Sequence, residues 1–387
     1  MIRCWTWMVS GVFALGVLAF VVVAGQNGMY DRDWFTFWGG GHGVLIGANI
    51  YDSAVWAVIT RDNGSAWFPN PIFIFAPPTA ILFAPFAAMC VDVAAFGWTW
   101  LSALFIALTV IVIARHLHWQ RWESFAPLLS LGLLFFLPVL LTLLMGQISA
   151  LVLILVVAAA VLWDRGAWFA GGLLFGMTIV KPQPIAFLLP MLVLWTIWHR
   201  RWRALGGLVL SFGVSALATF ALFPSFVSEW QGAMLSKVGG VSARMPTVWG
   251  ISADVFGATS LATWSALALI ALVAAVSVWL IACWRVSALE LTSALLIGSV
   301  IVSPYLWNYD QTVLIAPLIV AFVRLDQRAR DARIVAGLLF ALDAFAFGLL
   351  VVASARVADT FSIALPLLIG GLMWWVYQVS PTRKVVD

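Results

Sequence analysis

The chain has 387 residues, of which 64% are hydrophobic and only 9% charged, with 23 Trp, 27 Phe and a formal net charge of +4. That balance excludes an ordinary soluble globule. The small positive charge sits at the ends of apolar runs and is not interleaved with solvent-facing aromatics, which excludes a nucleic-acid surface.

Apolar runs of about 17–25 residues recur along the whole length, each able to cross a hydrocarbon layer of about 30 Å as a helix. Strand alternation is missing, so a transmembrane barrel is excluded. The reading is an all-α polytopic membrane protein, a single integral-membrane domain over 1–387. Cys4, Cys90 and Cys283 lie in or beside apolar runs without CxxC or Cys/His spacing, so neither a disulfide nor a zinc site is expected.

In chain order, the first run is 5–24. It follows Arg3 like a signal sequence, yet it is long enough for a true crossing and is taken as one. A long external loop follows at 25–70. It opens on Asp31-Arg32-Asp33 and an aromatic ladder of Trp34, Phe35, Phe37 and Trp38. Carboxylates are costly in so apolar a chain unless they face water, pair or work. Asp33 reads either as a general base at the membrane surface or as a helix cap with Trp interface anchors. The next run, 71–90, carries Pro71, Pro77, Pro78 and Pro85, and proline removes helix hydrogen bonds.

Further apolar runs include 94–114, 125–144 and 147–163, the last opened by Gly146-Gln147, where a Gln at a membrane boundary reads as solvated. Lys181-Pro182-Gln183-Pro184 splits 168–198 into two short helices. Lys181 either snorkels to water or faces a polar cavity, where a cation beside a helix break suits a phosphate. The pairs Gly171-Gly172 and Gly206-Gly207 read as close helix packing. A second external loop spans 224–260. Near the end, Ser303 to Asp310 closes one span and opens another, and Asp343 lies within a span as either a proton or ion site or a structural hydrogen-bond partner.

Most Lys and Arg fall at Arg3, Arg115–Arg121, Arg165, Arg200–Arg203, Arg285, Arg324–Arg333 and Arg383-Lys384, which the positive-inside rule assigns to the cytoplasm. About thirteen apolar runs cannot all cross and satisfy that assignment. We therefore expect about twelve crossings, with 71–90 broken or re-entrant and both termini cytoplasmic. This topology gathers Asp31, Arg32, Asp33, Gln147, Lys181, Lys237, Arg244, Tyr309 and Asp310 on the external face. No phosphate-binding GxxxxGK[ST] or dinucleotide GxGxxG signature occurs.

Six short motifs stand in one order: Asp33-x-x-x-Phe37-Trp38, Asn49-x-Tyr51, Ala76-Pro77-Pro78, Gly146-Gln147, Lys181-Pro182-Gln183, and Pro304-Tyr305 before Tyr309-Asp310. The set resembles glycosyltransferase family 87, integral-membrane enzymes of the GT-C fold that use polyprenyl-phosphate sugars. The resemblance implies a GT-C-like bundle, and a single in-line displacement in it would invert the anomeric centre. The sugar would pass from a polyprenyl-phosphate donor to a lipid or glycan acceptor at the external face of the cytoplasmic membrane. Asp33 falls at the family's catalytic aspartate. Lys181, with Arg244, is the expected contact to the leaving phosphate. Asp31, Arg32, Gln147, Gln183, Tyr309 and Asp310 are further substrate-binding candidates. The chain departs from the family pattern at Ala76, where many members have Tyr. It also departs at Trp307-Asn308-Tyr309, where mannosyltransferase-like members carry a histidine. No cofactor is expected, and the use of a divalent metal stays open. Partners would be the lipid-linked sugar, the acceptor and membrane lipids, with no nucleic acid. The competing class is a multi-pass transporter or lipid-linked-substrate flippase. The long loop at 25–70 and the lack of an internal repeat favour the enzyme.

Overall fold

The structure, a computed structural model, describes residues 33–64, 72–231, 245–257, 259–328 and 362–378, with isolated positions between 11 and 19. Asp31, Arg32, Lys237, Arg244 and Asp343 lie outside the described residues. The described residues are helical, without a strand. The helices are α1 (Asp33–Leu45), α2 (Ser53–Asp62), α3 (Pro77–Ala87), α4 (Val91–His116), α5 (Trp122–Phe135), α6 (Leu137–Met145), α7 (Ser149–Asp164) and α8 (Trp168–Gly176). They continue with α9 (Leu188–Trp198), α10 (Trp202–Leu222), α11 (Val248–Phe256), α12 (Ser260–Cys283), α13 (Ala288–Val302), α14 (Ile315–Arg328) and α15 (Ala364–Gln378). Short 3₁₀ turns occupy Met177–Val180, Gln183–Ile185 and Asn308–Leu314.

Among these, α4, α10 and α12 are long and apolar enough to cross a membrane, and α6 with α7 forms a fourth such unit, bent by 119°. α3 has 11 residues, about 16 Å of helix, too short to cross a hydrocarbon layer of about 30 Å. Pro77 and Pro78 start it, where a missing N–H costs nothing, and Pro85 lies inside it. The run read as a single segment at 125–144 is two helices. The chain turns extended at Phe136, φ −64° and ψ 109°, and Pro138 opens α6. Lys181 does separate two short helical pieces: α8 tightens into 3₁₀ geometry before it, and α9 starts after it.

Glycine sets the closest approaches. A Cβ on Gly41 would lie 2.5 Å from the backbone of Phe83, so α1 meets α3 backbone to backbone, and one on Gly40 would lie 2.4 Å from the ring of Phe73, just before α3. On the α8–α10 seam a Cβ on Gly172 would lie 2.1 Å from the Ala204 carbonyl oxygen, and one on Gly207 2.2 Å from that of Phe169. Gly206 faces only ordinary contacts at 3.9 Å and plays no such part. We expect Gly207→Ala to separate the seam and cost about 1–3 kcal/mol. Thermal unfolding in detergent measures this, with Gly206→Ala as the near-neutral comparison.

Two cores result. One is an aromatic cluster in which Phe37 stacks on Phe83 at 5.2 Å and Trp34 on Trp98 at 6.3 Å. Trp34, Phe35, Phe37 and Trp38 are all buried, so the ladder after Asp33 is core and not a set of interface anchors. The other core surrounds α7. At the C-terminal end of α7, Asp164 accepts the backbone N–H groups of Ala288 (2.5 Å) and Leu289 (3.2 Å) and pairs with His116 at 2.9 Å. Arg324 meets Glu290 at 2.7 Å, and Arg121 meets Asp326 at 3.0 Å. The Arg201 guanidinium lies 4.3 Å from the centre of the Trp168 ring.

Candidate active site

The opposite end of α7 carries a different polar cluster, built around the 119° bend. Gly146 caps α6 in the left-handed region at φ +64°, a conformation glycine adopts without strain. A Cβ there would also lie 2.6 Å from Trp34 Cβ. The Trp98 indole donates to the Gly146 carbonyl at 3.0 Å, which pins the bend to α4. The Gln147 backbone N–H donates to the Thr142 carbonyl at 2.8 Å. Gln147 is thereby turned inward and fully buried, not solvated at a membrane boundary.

Asp33 is the first residue of α1, where a carboxylate is favoured by the helix N-terminus. It accepts Gln147 Nε2 at 2.5 Å. The Tyr309 hydroxyl also hydrogen-bonds to Asp33. Burial first, then the charges of Asp33 and Asp310, push the Tyr309 phenol well above its ordinary range, so it stays a neutral donor. Asp33 itself is half-buried.

Behind it lies an ion pair. Lys181 Nζ stands 2.5 Å from Asp310 Oδ1, and both side chains are 2% exposed. The same ammonium donates to Ser149 Oγ at 3.0 Å and to Gln147 Oε1, and lies 4.7 Å from the centre of the Tyr309 ring. Ser149 donates onward to Asp310 Oδ1 at 3.1 Å, and Asp310 Oδ2 accepts the Trp307 N–H at 2.9 Å. Lys181 therefore does not snorkel. Carboxylate, amide, ammonium and second carboxylate form one chain from Asp33 to Asp310, with Asp33 as the member nearest solvent.

The surrounding hydroxyls fix this geometry. Thr142 donates to the Tyr309 carbonyl at 3.0 Å and meets the Thr312 hydroxyl at 2.7 Å, while Thr312 donates to the Pro138 carbonyl at 2.8 Å. Thr79 donates to the Val180 carbonyl at 2.5 Å, which ties the break before Lys181 to α3. The two loop regions also meet, the Asn49 amide reaching both Glu229 carboxylate oxygens at 3.2 Å, and the Trp230 indole ties the second loop to the start of the 71–90 run by donating to the Ile74 carbonyl at 2.8 Å. The buried Tyr51 hydroxyl donates to the Phe75 carbonyl at 2.7 Å.

Of the residues singled out in sequence, the fold brings together Asp33, Gln147, Lys181, Tyr309 and Asp310. Gln183 stands apart from that chain: its backbone carbonyl accepts Ser303 Oγ at 3.1 Å, and its buried Oε1 has no partner among the described residues. Ser149 was missed, as were Thr142 and Thr312. Ser149 follows Gln147 by two residues at a helix start, and that spacing was the available signal. Among the described residues no group of three or more His, Cys, Asp or Glu is placed to hold a metal ion.

No curated protein and no solved structure matches the chain. The model of glycosyltransferase family 87 matches residues 73–304, a stretch that contains Gln147, Ser149 and Lys181 but stops short of Asp33, Tyr309 and Asp310. With more than half of its length matched, the chain belongs to glycosyltransferase family 87 and is a membrane glycosyltransferase.

Proposed function

We propose that this enzyme takes its sugar from a polyprenyl-monophosphate donor and transfers it, with inversion, to a hydroxyl of an extracytoplasmic lipid or glycan acceptor. Asp33 acts as the general base. The acceptor oxygen attacks the anomeric carbon, its proton passes to Asp33, and the bond to the phosphate oxygen breaks with its electron pair leaving on the phosphate. The observation that carries this reading is the half-exposed Asp33 carboxylate at the head of a buried polar chain, oriented by Gln147 and Tyr309. A positioned base of this kind contributes about 10²–10⁴-fold.

In this reading the site faces the external side of the cytoplasmic membrane, within a GT-C-like bundle of about twelve crossings with both termini cytoplasmic. Support comes from α7, which has the Asp33 cluster at one end and the Asp164 end at the other, next to Arg165. Lys181 already neutralises Asp310. Arg244, which the charge pattern assigns to the same face, is our candidate for the contact to the leaving phosphate.

The test incubates purified protein with a radiolabelled polyprenyl-phosphate sugar and a membrane lipid extract. Label in a new product is the expected result. Transfer from a nucleotide sugar in the absence of any lipid-linked donor would overturn the donor class. Uptake of the labelled lipid into vesicles without a new bond would favour the transporter.

A further inference from the structure

We infer that Lys181 is a positioning residue, which orients Asp33 through Gln147 and makes no contact with the donor. The inference rests on the reading of Asp33 as the base. A lysine ammonium has three donors, and here each has a partner: Asp310 Oδ1 at 2.5 Å, Ser149 Oγ at 3.0 Å and Gln147 Oε1. The Tyr309 ring covers another side at 4.7 Å. Only 2% of the side chain is exposed, and its charge is matched by an equally buried carboxylate. No donor and no uncompensated charge remain for a phosphate oxygen.

What the ammonium does instead follows from the asymmetry of a carboxamide. Lysine only donates and an ionised carboxylate only accepts. With Lys181 on one side of Gln147 and Asp33 on the other, one amide orientation satisfies both: Oε1 toward Lys181 and Nε2 toward Asp33. The flipped amide sets donor against donor and acceptor against acceptor. Gln147 is fully buried, so water does not relieve that mismatch. Lys181 thus fixes the orientation of Gln147, and Gln147 holds Asp33 Oδ2 at 2.5 Å. Ser149 and Asp310 hold Lys181 in turn.

The test uses full-length enzyme and a polyprenyl-phosphate sugar donor. The paired variant Lys181→Met with Asp310→Asn removes both charges and leaves neither buried alone. Gln147→Leu removes the link and keeps the ion pair. For both variants we expect kcat to fall about 10²-fold, the usual consequence of a misplaced reacting group, with KM for the donor changed less than about two-fold. Adding the paired change to Gln147→Leu should lower kcat by less than about three-fold, because the residues act as one unit. A donor KM raised ten-fold or more by the paired variant, with kcat kept, would return Lys181 to the phosphate. Full activity in either variant, or additive losses, would also overturn the inference. If the paired variant does not fold, Gln147→Leu decides: a kcat loss at constant KM supports the inference and wild-type kinetics end it. Asp33→Asn runs in parallel. Wild-type turnover there removes the general-base reading itself, an outcome distinct from any of those above.

Discussion

Asp33→Asn should lower sugar transfer by about 10²–10⁴-fold while leaving the fold and donor binding in place. The substitution is close to isosteric, and Asp33 is half-buried at the start of α1, so the aromatic cluster behind it keeps its packing. Asparagine still offers an oxygen to Gln147 Nε2 and to the Tyr309 hydroxyl, the two groups that orient the carboxylate. What it lacks is basicity. A single-turnover assay with labelled donor, set beside a binding measurement with the same donor, separates the two effects. Turnover at the wild-type rate would remove Asp33 from the chemistry. Lost donor binding would make it a binding group instead.

The second large effect is on stability. Lys181→Met should destabilise the protein by about 3–5 kcal/mol, because it leaves Asp310 as a buried charge without its counterion. The pair is 2.5 Å apart, with each side chain 2% exposed. Adding Asp310→Asn to Lys181→Met should recover most of the loss, since two neutral side chains carry a far smaller desolvation cost. Thermal unfolding in detergent reads this directly. An unchanged midpoint for Lys181→Met alone would mean that the charge of Asp310 reaches water by another route.

Much of this was legible in the amino-acid pattern, and the remainder was hidden for identifiable reasons. Apolar run length and composition revealed a helical membrane protein, and proline and glycine marked the breaks beside Lys181 and Gln147. Charge asymmetry grouped Asp33, Gln147, Lys181, Tyr309 and Asp310 on one face before any contact was known. The partners themselves were not legible. Lys181 meets Gln147 and Ser149 across more than thirty residues of chain, and no local period encodes such a pairing. Gln147 resembled a solvated boundary residue because the 119° bend that buries it is a tertiary feature. Trp34 and Trp38 resembled interface anchors because aromatics beside a charge often are, yet Gly41 lets α3 and Gly40 lets Phe73 come close enough to enclose them. Phe136 was hidden inside a continuous apolar run, although Pro138 two residues later carried the warning.

The length of α7 has a consequence for where the sugar must go. Its 16 residues extend roughly 24 Å at 1.5 Å per residue, and any tilt shortens the projection on the membrane normal. The hydrocarbon layer is about 30 Å deep. In the proposed topology, which puts Arg165 and hence Asp164 near the cytoplasmic boundary, Gln147 and Ser149 would stop short of the other boundary by about one helical turn. On that topology the reaction centre would be sunken, a well in the membrane floor and not a platform above it. In the proposed reaction the polyprenyl-anchored phosphate would ride at that depth, whereas an acceptor arriving from water would have to lower its hydroxyl into the well. Lengthening α7 by one turn would lift the floor by about 5.4 Å, and the acceptors with the shortest reach would gain most from it.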